Sequence, residues 1–68
     1  MIKKGIRVRA KEDHYDEYQG DIFITRGDVF EVLDHSFREV QLRPVEQHKY
    51  PGEPVVRSRE EMFHVCKD

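Results

Sequence analysis

The sequence predicts an all-β fold: a small five-stranded barrel with a long first loop and one helical turn before the last strand. Three observations carry this. Apolar and polar residues alternate in short runs, the period of a half-buried strand. Turn-forming residues separate the runs at short intervals, as in small closed or nearly closed barrels. No run has the length or the period of a helix beyond a single turn.

Ile6, Val8 and Ala10 alternate with Arg7, Arg9 and Lys11, giving a first strand with one apolar and one basic face. Residues 11 to 21 hold no aliphatic side chain and end in Gly20 and Asp21, so they read as a long loop. Ile22 and Ile24 point to one side. Thr25 to Asp28 forms a turn, in which Gly27 supplies a positive φ. Val29 to Leu33 is the next strand, with Phe30 and Val32 on one face and Glu31 on the other. Asp34, His35 and Ser36 read as a short turn, and Phe37 to Leu42 as a strand that turns Val40 and Leu42 inward. Pro44 to Pro54 contains three prolines and reads as an exposed loop that cannot join a central strand. Val55 and Val56 open another short strand. Ser58 and Glu61 have the S-x-x-E spacing of a capping box, which places one helical turn from Ser58. Met62, Phe63 and Val65 then return to a strand.

The chain, residues 1–68, makes a single domain. A chain this short buries only about 60% of its unfolded surface, which leaves little room for a core and a deep cleft together. Charged residues make up 38% and apolar residues 37%. That balance suits a disordered chain as well as a folded one, and the ordered alternation decides for folding. The net charge of −2 gives no global basic field toward nucleic acid. The charge is segregated, however: Lys3, Lys4, Arg7, Arg9 and Lys11 are followed at once by Glu12, Asp13, Asp16, Glu17 and Asp21. Cys66 is the only cysteine, so no internal disulfide forms, and a reducing cytoplasm is the expected compartment. No apolar run reads as a signal peptide or a membrane span. Met1 directly before the first strand fits a complete small open reading frame, and equally an excised module given a start codon.

Ala10, Asp13, Asp21, Ile22, Ile24, Gly27, Asp28, Val32 and Leu33 fall without a gap on a known pattern. It runs A-L-Y-D-Y, a polar loop, then D-E-L-x-F-x-x-G-D-x-x-x-V-L. In this the chain resembles Src homology 3 (SH3) domains, over most of its length and best from Ile6 to Leu42. The resemblance implies a small barrel whose core holds Val8, Ala10, Ile22, Ile24, Phe30, Val32 and Val40, and it implies a binding module. The departures are functional. Family members that bind proline-rich peptides use tyrosines where this chain has Glu12 and His14, and a tryptophan that it lacks; Phe37 lies closest to that position. The family's late proline and tyrosine have no equivalents in Ser58 to Met62. Without that aromatic platform, ordinary PxxP binding is not expected. Lys4 to Arg9 and Ser58 to Met62 also resemble the ends of short stand-alone barrels of bacteria and phages, which implies an adaptor of that origin.

The resemblance places acidic recognition residues in the first loop. Glu12, Asp13, Asp16, Glu17 and Asp21 are therefore candidates to receive a basic segment of a protein partner. Tyr15, Tyr18 and Phe37 are its aromatic anchors. The alternative is nucleic-acid or ribonucleoprotein binding through Lys3, Lys4, Arg7, Arg9 and Lys11. Alternation sets Arg7, Arg9 and Lys11 about 7 Å apart on one face, near the spacing of successive phosphates. The same charges would also suit an edge strand that resists aggregation. His14, His35, His48 and His64 show no metal-ligand spacing, so no metal or other cofactor is expected. No nucleophile elbow, activated cysteine or glycine-rich phosphate loop is present, and the chain is not expected to be an enzyme.

Overall fold

The computed structural model describes residues 2–18 and 20–66. It is all-β, with strands β1 (Arg7–Ala10), β2 (His14–Tyr15), β3 (Phe23–Ile24), β4 (Val29–Ser36), β5 (Glu39–Pro44), β6 (Val56–Arg59) and β7 (Phe63–Val65). Single 3₁₀ turns lie at Gln47–Lys49 and Glu60–Met62. Five strands form one antiparallel sheet in the order β6-β5-β4-β1-β7, and β2 pairs with β3 in a separate hairpin. Among the described residues, seven strands in two sheets thus replace the five expected, and neither sheet closes into a barrel. The architecture is compatible with a small barrel-like fold.

Alternation works as the sequence implies. Val8 and Ala10 are buried while Arg7 and Arg9 are exposed. The core gathers Val8, Ala10, Ile24, Phe30, Val32, Val40, Leu42, Tyr50, Val56 and Phe63, with Ile22 packed against it. Phe30 sits at its centre and meets the rings of Tyr50 and Phe63 edge-on, with centroids 5.5 and 5.9 Å away. The turn before β4 is closed by the Asp28 amide, which donates to the Thr25 carbonyl at 3.0 Å; Gly27 there has φ +92°.

Four local expectations are corrected. The residues 11–21 contain β2, because His14 and Tyr15 pair with Ile24 and Phe23. Asp34, His35 and Ser36 continue β4: a bulge between Val32 and Asp34 absorbs one residue and leaves them paired with Gln41, Val40 and Glu39. The turn therefore moves to Phe37 and Arg38. Pro44 ends β5 opposite Phe30 and is buried. It is tolerated because β6 pairs with β5 only as far as Leu42, so no ladder needs a hydrogen from its nitrogen. Ser58 lies in β6 opposite Val40, fully buried, and caps nothing; the helical turn begins at Glu60 without a side-chain cap. Strand pairing through Arg59 has overridden the capping pattern.

Two larger placements also differ. β1 lies between β4 and β7, so its charges do not guard a sheet edge. The proline-bearing loop is not exposed throughout, since Tyr50 is turned into the core. Pro51 and Gly52 (φ +83°) then make a tight turn in which the Glu53 amide donates to the Tyr50 carbonyl at 3.2 Å.

Candidate functional site

The β2–β3 hairpin is organised from its own carboxylates. Asp16 is buried, and its carboxylate accepts the amides of Tyr18 (3.3 Å), Gly20 (3.0 Å) and Ile22 (3.4 Å). The Asp16 amide donates to the Ile22 carbonyl at 2.9 Å. Asp16 therefore shapes the hairpin tip. Asp13 accepts the Arg26 amide at 2.7 Å and ties the hairpin's base to the turn before β4. His14 Nδ1 lies 2.9 Å from the Glu12 carbonyl and Nε2 lies 2.9 Å from the Ser58 hydroxyl. A carbonyl only accepts, so in the neutral ring Nδ1 carries the proton and the buried Ser58 donates to Nε2. His14 thus satisfies the polar group that β6 buries.

The tip is laid across β6. The Glu17 amide donates to the Arg57 carbonyl at 2.7 Å, and the Glu17 carboxylate pairs with Arg59 at 2.9 Å. The Arg57 guanidinium stands over the Tyr18 ring, 4.8 Å from its centroid. Arg57 Nε is also 3.5 Å from Glu39, near enough for charge attraction but without hydrogen-bond alignment. Tyr15 is exposed and meets the exposed Phe23 edge-on at 5.1 Å.

Phe37 is 91% exposed and has φ +60°. It is the first residue of the two-residue turn joining Ser36 to Glu39, a place that favours glycine. A shallow depression lined by Glu17, Phe37, Arg38, Glu39 and Arg59 brings Phe37 beside the hairpin tip. The fold thus brings Glu17 and Phe37 together beside Arg59, while Tyr18 lies against Arg57 on the same strand. Glu12, Asp13 and Tyr15 lie elsewhere on the hairpin. Glu12 and Asp21 are exposed and have no ion-pair partner among the described residues.

The basic residues Lys3, Lys4, Arg7, Arg9 and Lys11 are all exposed. Arg9 donates to the Gly27 carbonyl at 2.8 Å. Arg7 stands opposite Glu31, which is bound to Arg43, and Arg9 opposite His64 on its other side. Among the described residues no group of His, Cys, Asp and Glu could hold a metal ion, and no helix is long and apolar enough to cross a membrane.

Sequence reasoning missed Phe23 as a surface aromatic, although its place between two inward isoleucines turns it outward. It also missed the cluster under the proline-bearing loop. There the buried carboxylate of Asp28 accepts from the Tyr50 hydroxyl and from Lys49 Nζ (3.1 Å). Burial, and then the bond to Asp28, pushes the Tyr50 phenol well above its ordinary value. The same carboxylate holds the Lys49 ammonium above its ordinary value, through its hydrogen bond and then its charge. Compared with protein-family models, curated proteins and solved structures, the chain matches none.

Proposed function

We propose that the chain is an SH3-like domain, of the short stand-alone kind found in bacteria or phages, that works in the cytoplasm as a non-catalytic protein-interaction module. Six of the seven core positions implied by the SH3 resemblance are buried and the seventh, Ile22, packs on the core. A helical turn directly precedes the last strand. The observation that carries the interaction reading is Phe37. Its ring gives the core nothing, and its backbone occupies a conformation that costs a residue with a side chain about 1–2 kcal/mol. Folding gives no reason to keep an aromatic there, whereas an anchor that enters a partner does.

Phe37 and Tyr18 are the anchors in this reading. A basic segment of the partner exchanges with Arg59 for Glu17. Asp13 and Asp16 act at the hairpin, where their carboxylates accept backbone amides. Electrostatic steering of a basic segment makes affinity fall with salt.

A second reading has one specific observation behind it. The sheet register sets Arg7, Arg9, Arg43 and His64 on one exposed face around a single carboxylate, Glu31. That face would suit a polyanion such as nucleic acid.

One experiment separates them. Wild-type and Phe37→Gly proteins are used as baits in nuclease-treated and untreated lysate of the source cell, after urea unfolding of each. Phe37→Gly is expected to fold with equal or higher stability, because glycine relieves the turn. It is also expected to lose a discrete protein that the wild type retains in both lysates. Retention of that protein by Phe37→Gly would remove the Phe37 anchor. Material that disappears with nuclease treatment and ignores Phe37→Gly would move the function to the arginine face.

A further inference from the structure

The hairpin has a second flank, away from Phe37. There Ile22 and Phe23 face Tyr50, Pro51 and Pro54 across a groove, with Asp21 at its rim. The floor is fixed: Tyr50 is packed edge-on against Phe30 and held through its hydroxyl by Asp28. One wall is stiffened by two prolines and a hydrogen-bonded turn. The other is the hairpin, whose tip Asp16 holds in shape. A groove of this build is already formed and loses little freedom on filling.

Its charge is lopsided. Lys49 is the one cation among the lining residues, and Asp28 (3.1 Å) and Glu46 (3.7 Å) already bind it. Asp21 on the hairpin side and Glu53, exposed between Gly52 and Pro54, have no ion-pair partner among the described residues. An apolar slot with Asp21 in its lining, and with Glu53 next in the chain to its Pro54, selects an apolar side chain flanked by cations. Glu53 itself adopts φ +48°, left-handed backbone that favours glycine, and its side chain makes no hydrogen bond or ion pair among the described residues.

We propose that this groove is a docking site for a basic segment of a protein partner, with one apolar or aromatic side chain seated between Phe23 and Pro54 and its flanking cations at Asp21 and Glu53. It shares with the function proposed above only the class of partner and uses none of the Phe37 contacts.

The test is a nuclear magnetic resonance titration of the full chain with two capped tetrapeptides. One has leucine and phenylalanine between two arginines; the other has the same centre between two glutamates. The arginine peptide is expected to give saturating shifts at the amides of Ile22, Phe23, Tyr50 and Gly52, and the glutamate peptide to bind about tenfold more weakly. Asp21→Asn and Phe23→Ala, both at exposed positions that leave the core intact, should each weaken the arginine peptide several-fold. Equal binding of the two peptides would overturn the proposal, as would no saturating shift at these amides. Shifts confined to Tyr18, Phe37 and Arg38 would overturn it while leaving the Phe37 site standing. Groove binding that persists when Phe37→Gly has lost its partner would separate the two the other way.

Discussion

Asp16→Ala is expected to lower the stability of the domain by about 3 kcal/mol, a large share of what so small a core supplies. The carboxylate is buried and, among the described residues, accepts the amides of Gly20, Tyr18 and Ile22 at 3.0, 3.3 and 3.4 Å. Bonds to a charged acceptor contribute about 1.5–3 kcal/mol each when well made, and two of these are long. Their loss leaves the amides of Tyr18, Gly20 and Ile22 without that acceptor. Asp16→Asn should recover part of the loss, since its amide oxygen still accepts. Glu12→Ala, exposed and without an ion pair, should leave stability within about 0.5 kcal/mol of wild type. Urea midpoints for the three proteins check this. An Asp16→Ala protein as stable as wild type would return Asp16 to the surface role that its place in an acidic run suggests.

The second large effect concerns Asp28. Asp28→Ala is expected to cost about 2 kcal/mol, because the buried Tyr50 hydroxyl loses its acceptor and the proline-bearing loop its fastening. The same cluster makes the domain sensitive to alkali. Tyr50 and Lys49 both hold their protons more tightly folded than unfolded. Above the ordinary values of 10.0 for the phenol and 10.5 for the amine, the unfolded chain releases protons that the folded chain retains. Stability is therefore fully present below about pH 10 and falls as pH rises from there toward the folded values. Tyr50→Phe should remove the phenol's part of that fall and keep the amine's, and Lys49→Met the reverse. Urea midpoints at pH 8 and across pH 10–11.5 read this out; a wild-type midpoint that stays level would contradict it.

Much of the fold is legible in the residues because period-two alternation is a local signal. Val8 with Arg7 and Arg9, and Phe30 with Glu31, each reveal a face directly. Gly27 reveals its turn because only a residue without Cβ enters that conformation freely. What stayed hidden depends on partners far along the chain. Asp34, His35 and Ser36 have turn chemistry, yet β5 captures them. Ser58 has cap chemistry, yet pairing opposite Val40 buries it. Tyr50 sits among prolines, yet Asp28 and Phe30 draw its ring inward. For the candidate site, the run of acids is visible but its division of labour is not. Whether an aspartate faces solvent or folds back onto amides two to six residues away is settled by the hairpin's closure. Phe37 was visible as an aromatic but not as an outlying one, because the bulge that moves it into the turn has no sequence signature here.

The way the hairpin tip lies on β6 has a consequence for how the molecule opens. The base of the hairpin is anchored by Ile24 in the core, and beyond it, among the described residues, the tip is linked to the sheet by the Glu17 amide, the Glu17–Arg59 pair and the Tyr18–Arg57 contact. The Glu17–Arg59 pair is open to solvent and contributes little. The tip should therefore lift as a unit while the five-stranded sheet stays intact. In hydrogen–deuterium exchange the Glu17 amide is expected to exchange by this sub-global route, well ahead of the amides of Ala10 and Val32, which donate to the Asp28 and Ile6 carbonyls where β1 meets β4. Anything that grips Tyr18 and Phe37 together would close that route and move Glu17 into the slow class. The exchange rate of one amide would then report occupancy of the surface without a label on either molecule.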